Sequence, residues 1–142
     1  MAEESTARAL SERVRGFFEA LNRGDLDAVM SFHTAEAIWD ASSTAAGTFV
    51  GAGAVRGFLA DWQAAFDEWT GEPQELVELD RGVVFADVRW TGRPTGGAAA
   101  IQARGALVFV FASGMIARVV VYTRFGIDKG RATAERLAEE RS

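Results

Sequence analysis

Asp40 follows Trp39 directly, and a carboxylate held against an indole can have its pKa raised far enough to serve as a general base. A strand-end carboxylate bonded to backbone or to an arginine is the other reading, and strand alternation leaves its face open. His33 is the chain's only histidine. It is the obvious proton-transfer group, although at the end of a helix it can equally cap the last carbonyls. Arg104 offers a cation to a ligand's carbonyl or carboxylate, or else snorkels at a sheet edge. Tyr122 adds a hydroxyl within an apolar run. Asp40, Arg104, His33 and Tyr122 are therefore the candidate catalytic set. Phe17, Trp39, Phe58, Trp62 and Trp90 are the candidate substrate-binding set, since converging aromatics suit a flat, apolar, ring-containing ligand as well as they suit a core.

Composition narrows the chemistry further. The chain has 142 residues, 49% of them hydrophobic, which suits one domain around one core. With no cysteine and one histidine, thiolate metal sites, multi-histidine metal sites and cysteine nucleophiles are excluded, and no cofactor is expected. Net charge is −5, and no cluster of Lys or Arg makes a stripe for a phosphate backbone, so nucleic acid is not an expected partner. The opening Met-Ala-Glu-Glu-Ser-Thr-Ala-Arg lacks the apolar run of a signal peptide, and no stretch is long and apolar enough for a membrane span. The expectation is a soluble, cytoplasmic protein that does not engage membranes.

The elements that must position these residues follow from periodicity. From about Ser5 to Asn22, Leu10, Val14, Phe17, Phe18 and Leu21 recur at helical spacing. Gly24 can close that helix in the left-handed conformation and Asp25 can cap the next, which runs to about Phe32. A strand is expected from about Ala35 to Ser42, then a connection over residues 43–53 with a brief extended piece at Thr48-Phe49-Val50. Val55, Phe58, Leu59, Trp62 and Phe66 restate the helical period, so a third helix is predicted to end near Trp69-Thr70-Gly71, with Pro73 preventing its resumption. Four strands then alternate with turns at Asp80-Arg81-Gly82, residues 92–97 and Ser113-Gly114, an antiparallel meander whose third strand is expected from Ala98. Val84, Ala86, Val88 and Trp90 share one strand face; Phe85, Asp87 and Arg89 share the other. Residues 1–126 read as one domain. The charged tail, 127–142, reads from Asp128 on as a solvated helix with Leu137 its only large apolar residue, or as disorder.

This order of elements resembles the nuclear transport factor 2-like fold, an α+β architecture in which a curved antiparallel sheet wraps three helices into a cone with an internal pocket. The corner Ala20-Leu21-Asn22-Arg23-Gly24-Asp25-Leu26-Asp27 and the segment Val50 to Phe58 look like the corresponding parts of ketosteroid isomerases. Trp39-Asp40, the Trp62 helix and Val121-Tyr122-Thr123-Arg124 look more like the SnoaL-like branch, which contains polyketide cyclases. The isomerase residues do not carry over. Their tyrosine position falls on Phe17, their base on Ala41, and their protonated aspartate on Leu107 or Val108, depending on a one-residue gap. The cyclase aspartate position falls in Val119-Val120-Val121-Tyr122, which holds no carboxylate. Asp87 and Arg89 match part of the Asp/Arg/Asp set of this fold's epoxide hydrolases, with reversed spacing.

On the isomerase register Arg104 falls on the pocket parity, and the outer sheet face is where the resemblance implies a homodimer. Two functions follow as expectations. One is a cofactor-free cyclase, isomerase or lyase acting on an apolar, ring-containing small molecule. The other is a non-catalytic ligand-binding or dimerisation module. An enzyme needs at least two polar groups converging on a reachable cavity.

Overall fold

The computed structural model describes residues 2–44, 46–97 and 99–140, with residues 2–8 described by backbone alone. Helix α1 (Ala2–Arg23) turns at Gly24, φ +74°, into the short α2 (Leu26–Met30), where the Asp25 carboxylate accepts from the Ala28 N–H at 3.0 Å. Strands β1 (His33–Ala41) and β2 (Gly47–Val50), helix α3 (Ala52–Ala64), and strands β3 (Phe66–Leu79), β4 (Val83–Pro94), β5 (Ile101–Ala112) and β6 (Met115–Thr123) follow, and helix α4 (Ile127–Glu140) ends the described chain. The sheet order is β2-β1-β6-β5-β4-β3. The meander β3 to β6 is antiparallel as expected, but β1 lies parallel to β6, so the six-stranded sheet is mixed. Ala98, where the third meander strand was expected to begin, lies outside the described residues.

Helix α3 stops five residues before the predicted end at Trp69. The cause is tertiary. The carbonyls of Ala64 and Ala65 accept from the Thr95 hydroxyl and N–H at 3.2 and 3.0 Å, so the far end of β4 satisfies the helix terminus. Phe66 then enters β3 while still packing on Trp62, with ring centroids 5.9 Å apart, which is why the helical period ran through it. Pro73 sits inside β3 at a register shift. An edge strand tolerates it there, because its missing N–H breaks no ladder on the open side.

Two cores form, one on each face of the sheet. Val14, Phe17, Phe18 and Leu21 of α1 and Val55 and Leu59 of α3 pack on the inner face, against Val84, Ala86, Val88, Leu107 and Phe109. On the outer face, Val83, Phe85, Val108 and Val110 are covered by Ala134, Leu137 and Ala138 of α4. The tail is thus a packed fourth helix, at least to Glu140; its small alanines, not further large residues, allow close approach to the sheet. Among the described residues no helix is long and apolar enough to cross a membrane.

Candidate functional site

The site begins with two cross-strand pairs between β3 and β4. Trp69 stands opposite Gly92, and Gly71 stands opposite Trp90. Each indole lies over the glycine facing it: a Cβ added at Gly71 would stand 2.4 Å from a Trp90 ring atom, and one at Gly92 the same distance from Trp69. The two glycines let the indoles stack, with centroids 5.3 Å apart and planes 16° off parallel. Asn22 fixes this wall from α1. Its side chain donates to the Gly71 carbonyl at 2.9 Å and accepts from the Gly71 N–H at 2.7 Å, taking the place of a neighbouring strand at an open edge.

Trp39 from β1, Phe58 and Trp62 from α3, and this indole pair enclose a cavity of about 70 Å³, completed by Leu21, Leu59, Leu107 and Val121. Among the described residues lining it, Thr44 is the one that is neither aliphatic nor aromatic. Its hydroxyl donates to the Ala41 carbonyl at 2.7 Å. The cavity shares Thr44, Trp62, Trp69 and Trp90 with a groove of about 1200 Å³ that opens beside Ile101–Arg104 and Tyr122–Phe125.

Of the expected substrate-binding residues, Trp39, Phe58, Trp62 and Trp90 meet at the small cavity. Phe17 does not. It is fully buried one layer deeper, edge-on to Phe18 and Phe109. Trp69 belongs to the site although the helical period places it at a helix end; alternation with Gly71 opposite Trp90 was the available signal. Asn22 was legible only as part of the helix corner.

The expected catalytic residues do not converge. Asp40 lies on the strand face opposite Trp39, accepting from Ser42 N–H at 3.1 Å and Ser42 Oγ at 2.5 Å, with Arg118 3.8 Å away. The Ser42 hydroxyl, more than the other partners, holds its pKa below the usual carboxylate value, the reverse of the shift an indole contact would give. Arg104 also points outward, paired with the buried Asp87. Leu107, not Val108, faces inward, so the one-residue gap falls on the side that removes Arg104 from the pocket parity. Tyr122 shares the outer face, and its hydroxyl bonds Thr133 of α4 at 2.6 Å. Tyr122 also lines the open groove.

His33 is the first residue of β1 and buried. The Trp39 indole N–H donates to its Nε2 at 3.1 Å, so the ring proton sits on Nδ1, which donates to the Val29 carbonyl at 3.0 Å. Burial lowers its pKa to about 4. With both nitrogens engaged, His33 orients Trp39 from behind and has no free nitrogen to offer the cavity.

A family model for the SnoaL-like domain matches residues 14–119. The chain belongs to the SnoaL-like family. Bal32a, from a soil-derived mobile gene cassette, superposes with a TM-score of 0.75 at 20% identity, over 92% of this chain and 97% of its own. TerC, co-crystallised with polyporic acid, superposes with a TM-score of 0.72 at 14% identity, over 89% of this chain and 98% of its own. A protein of ketosteroid isomerase-like fold from Catenulispora acidiphila, in complex with trimethylamine, gives 0.71 at 15% identity over 78% and 84%. At these identities the likeness speaks for the fold. Among curated proteins, none matches the chain. Within this SnoaL-like chain the three isomerase positions are apolar and turned inward: Phe17, Ala41 and Leu107 are all buried.

Proposed function

We propose that this SnoaL-like protein binds an apolar, ring-containing small molecule against its tryptophan wall and supplies no acid or base of its own to it. One observation carries the reading: among the described residues lining the inner cavity none is ionisable, while five are aromatic. A carboxylate base or an oxyanion donor has to reach the reacting atom within hydrogen-bond distance. Asp40 lies across the sheet from the cavity, Arg104 and Tyr122, which border the adjoining groove, are engaged by Asp87 and Thr133, and His33 is engaged behind Trp39. The non-catalytic reading is therefore favoured over a cyclase, isomerase or lyase. Two structures of the same fold hold small molecules, polyporic acid and trimethylamine, which supports a ligand here.

Tryptophan quenching against polycyclic ketones, phenols, steroids and terpene epoxides tests the reading. A saturating ligand is expected, with affinity about tenfold weaker or worse in Trp62→Ala and Trp69→Ala. Asp40→Asn is expected to bind like the parent. Turnover of any panel compound that is lost in Asp40→Asn would restore the enzyme reading; silence across the panel would remove the ligand.

A homodimer through the outer face meets α4, which covers Val83, Phe85, Val108 and Val110. The packing of α4 argues for a chain that closes this face on itself.

A further inference from the structure

The large groove has a charge that the rest of the chain lacks. The protein carries 20 acidic and 15 basic residues, yet the described residues lining the groove include Arg89, Arg104 and Arg124 and no Asp or Glu. Arg89 stands directly opposite Arg104 across β4 and β5. Like charges in that position repel and weaken the pair. Arg104 is neutralised by Asp87, which is 8% exposed and holds it in place. Among the described residues neither Arg89 nor Arg124 forms an ion pair; Arg124 lies over the Phe125 ring, 4.6 Å from its centroid.

The topology explains how such cations meet the aromatic wall. Strand β6 stops at Thr123, two residues past Val121, and its last pairing is with Gly105. Residues 101–104 of β5 therefore run on past the end of β6, and along this free edge the groove reaches both sheet faces. From the inner side come Trp62 of α3 and Trp69 and Trp90 of the sheet, from the outer face Arg89 and Arg104, and from the turn after β6 Arg124. Three of the four exposed large apolar side chains of the chain's described part also gather here: Trp62, Ile101 and Phe125, at 39%, 46% and 82% exposure. Apolar surface left open beside unpaired guanidinium groups is complementary to a molecule with one apolar and one anionic end.

We propose that the groove takes a ring-containing small molecule bearing a carboxylate, its rings on Trp62, Trp69 and Trp90 and its anion among Arg89, Arg104 and Arg124. This rests on the ring-binding reading above and names the ligand's second end. The planar guanidinium offers paired N–H donors that match a carboxylate, and a cation cluster in an otherwise acidic protein concentrates attraction at one place.

The test compares 2-naphthoate with its neutral analogue 2-naphthamide by tryptophan quenching, in the parent and in an Arg89→Ala/Arg124→Ala double variant. The acid is expected to bind at least about tenfold tighter than the amide. That advantage is expected to shrink as salt is raised and to fall towards unity in the double variant. Equal binding of acid and amide would overturn the anionic end and leave the ring-binding reading standing. An advantage undiminished in the double variant would take Arg89 and Arg124 out of the site and overturn the proposal. Failure of both compounds to bind, with the variants folded by circular dichroism, would remove the ring-binding reading and this proposal together.

Discussion

His33 shows how one side chain ties a helix end, a strand and the cavity wall into a single unit, and it makes a definite prediction about pH. Burial lowers its pKa from 6.5 to about 4. Because the folded value lies below the unfolded one, the folded state takes up the proton less readily. Its contribution is whole above pH ~6.5, drains away as pH falls towards 4, and is gone below; the shift corresponds to about 3 kcal/mol. Asp40, whose pKa is also lowered, stabilises above the ordinary carboxylate value of 3.8 and loses that only at more acid pH, so the two windows separate. Denaturant midpoints are expected to fall between about pH 6.5 and 4 in the parent and to change much less in His33→Gln. A parent profile as flat as the variant's would show that His33 does not titrate in this way. The histidine was visible in the sequence as a candidate, but its partner was not. Six residues along a straight strand span ~20 Å, whereas the His33 and Trp39 rings are 6.1 Å apart because the strand breaks register between His33 and Ile38.

At the scale of elements, the cavity is a property of the β3–β4 ladder more than of any helix. The crossed Trp69–Gly92 and Gly71–Trp90 pairs require two positions without a Cβ. Gly92→Ala is expected to push Trp69 out of its stack, costing about 1–3 kcal/mol and weakening ring binding together with stability. Calorimetry and the quenching titration on the same variant check this, and unchanged values in both would remove the glycine from the site's architecture. The helix corner, the turns at 80–82 and 113–114 and the inner face of β4 were legible, since capping chemistry, glycine and period-two alternation act over a few residues; the turn expected over 92–97 is shorter, because β4 runs on to Pro94 against β3. Helix α3's end was not, because Thr95, thirty residues downstream, satisfies its last carbonyls. The face of Arg104 was not either, since it turned on a single-residue gap, and one residue of slip inverts every side chain of a strand.

For the molecule as a whole, the decisive element is the one the sequence made least of. Past its first residue, Ile127, helix α4 has one large apolar residue, Leu137, yet it buries Ala134, Leu137 and Ala138 over a strip of valines and Phe85. Polar ties hold both its ends and its middle: Arg131 pairs with Glu75 at 2.9 Å, Tyr122 with Thr133 at 2.6 Å, and the Ala138 carbonyl accepts from Arg81 at 3.2 Å. The ion pair is exposed and adds little; the apolar contact does most of the holding. Removing residues 127–142 would uncover Val83, Phe85, Val108 and Val110 as one contiguous apolar strip, and such strips drive association between copies. The full chain is therefore expected to sediment independently of concentration, and the truncated chain to self-associate and melt several degrees lower. Leu137→Ala, costing about 2–3 kcal/mol, is expected to move part of the way. If the full chain already dimerises and truncation leaves that equilibrium untouched, pairing runs through another surface, and α4 serves only the stability of the fold it covers.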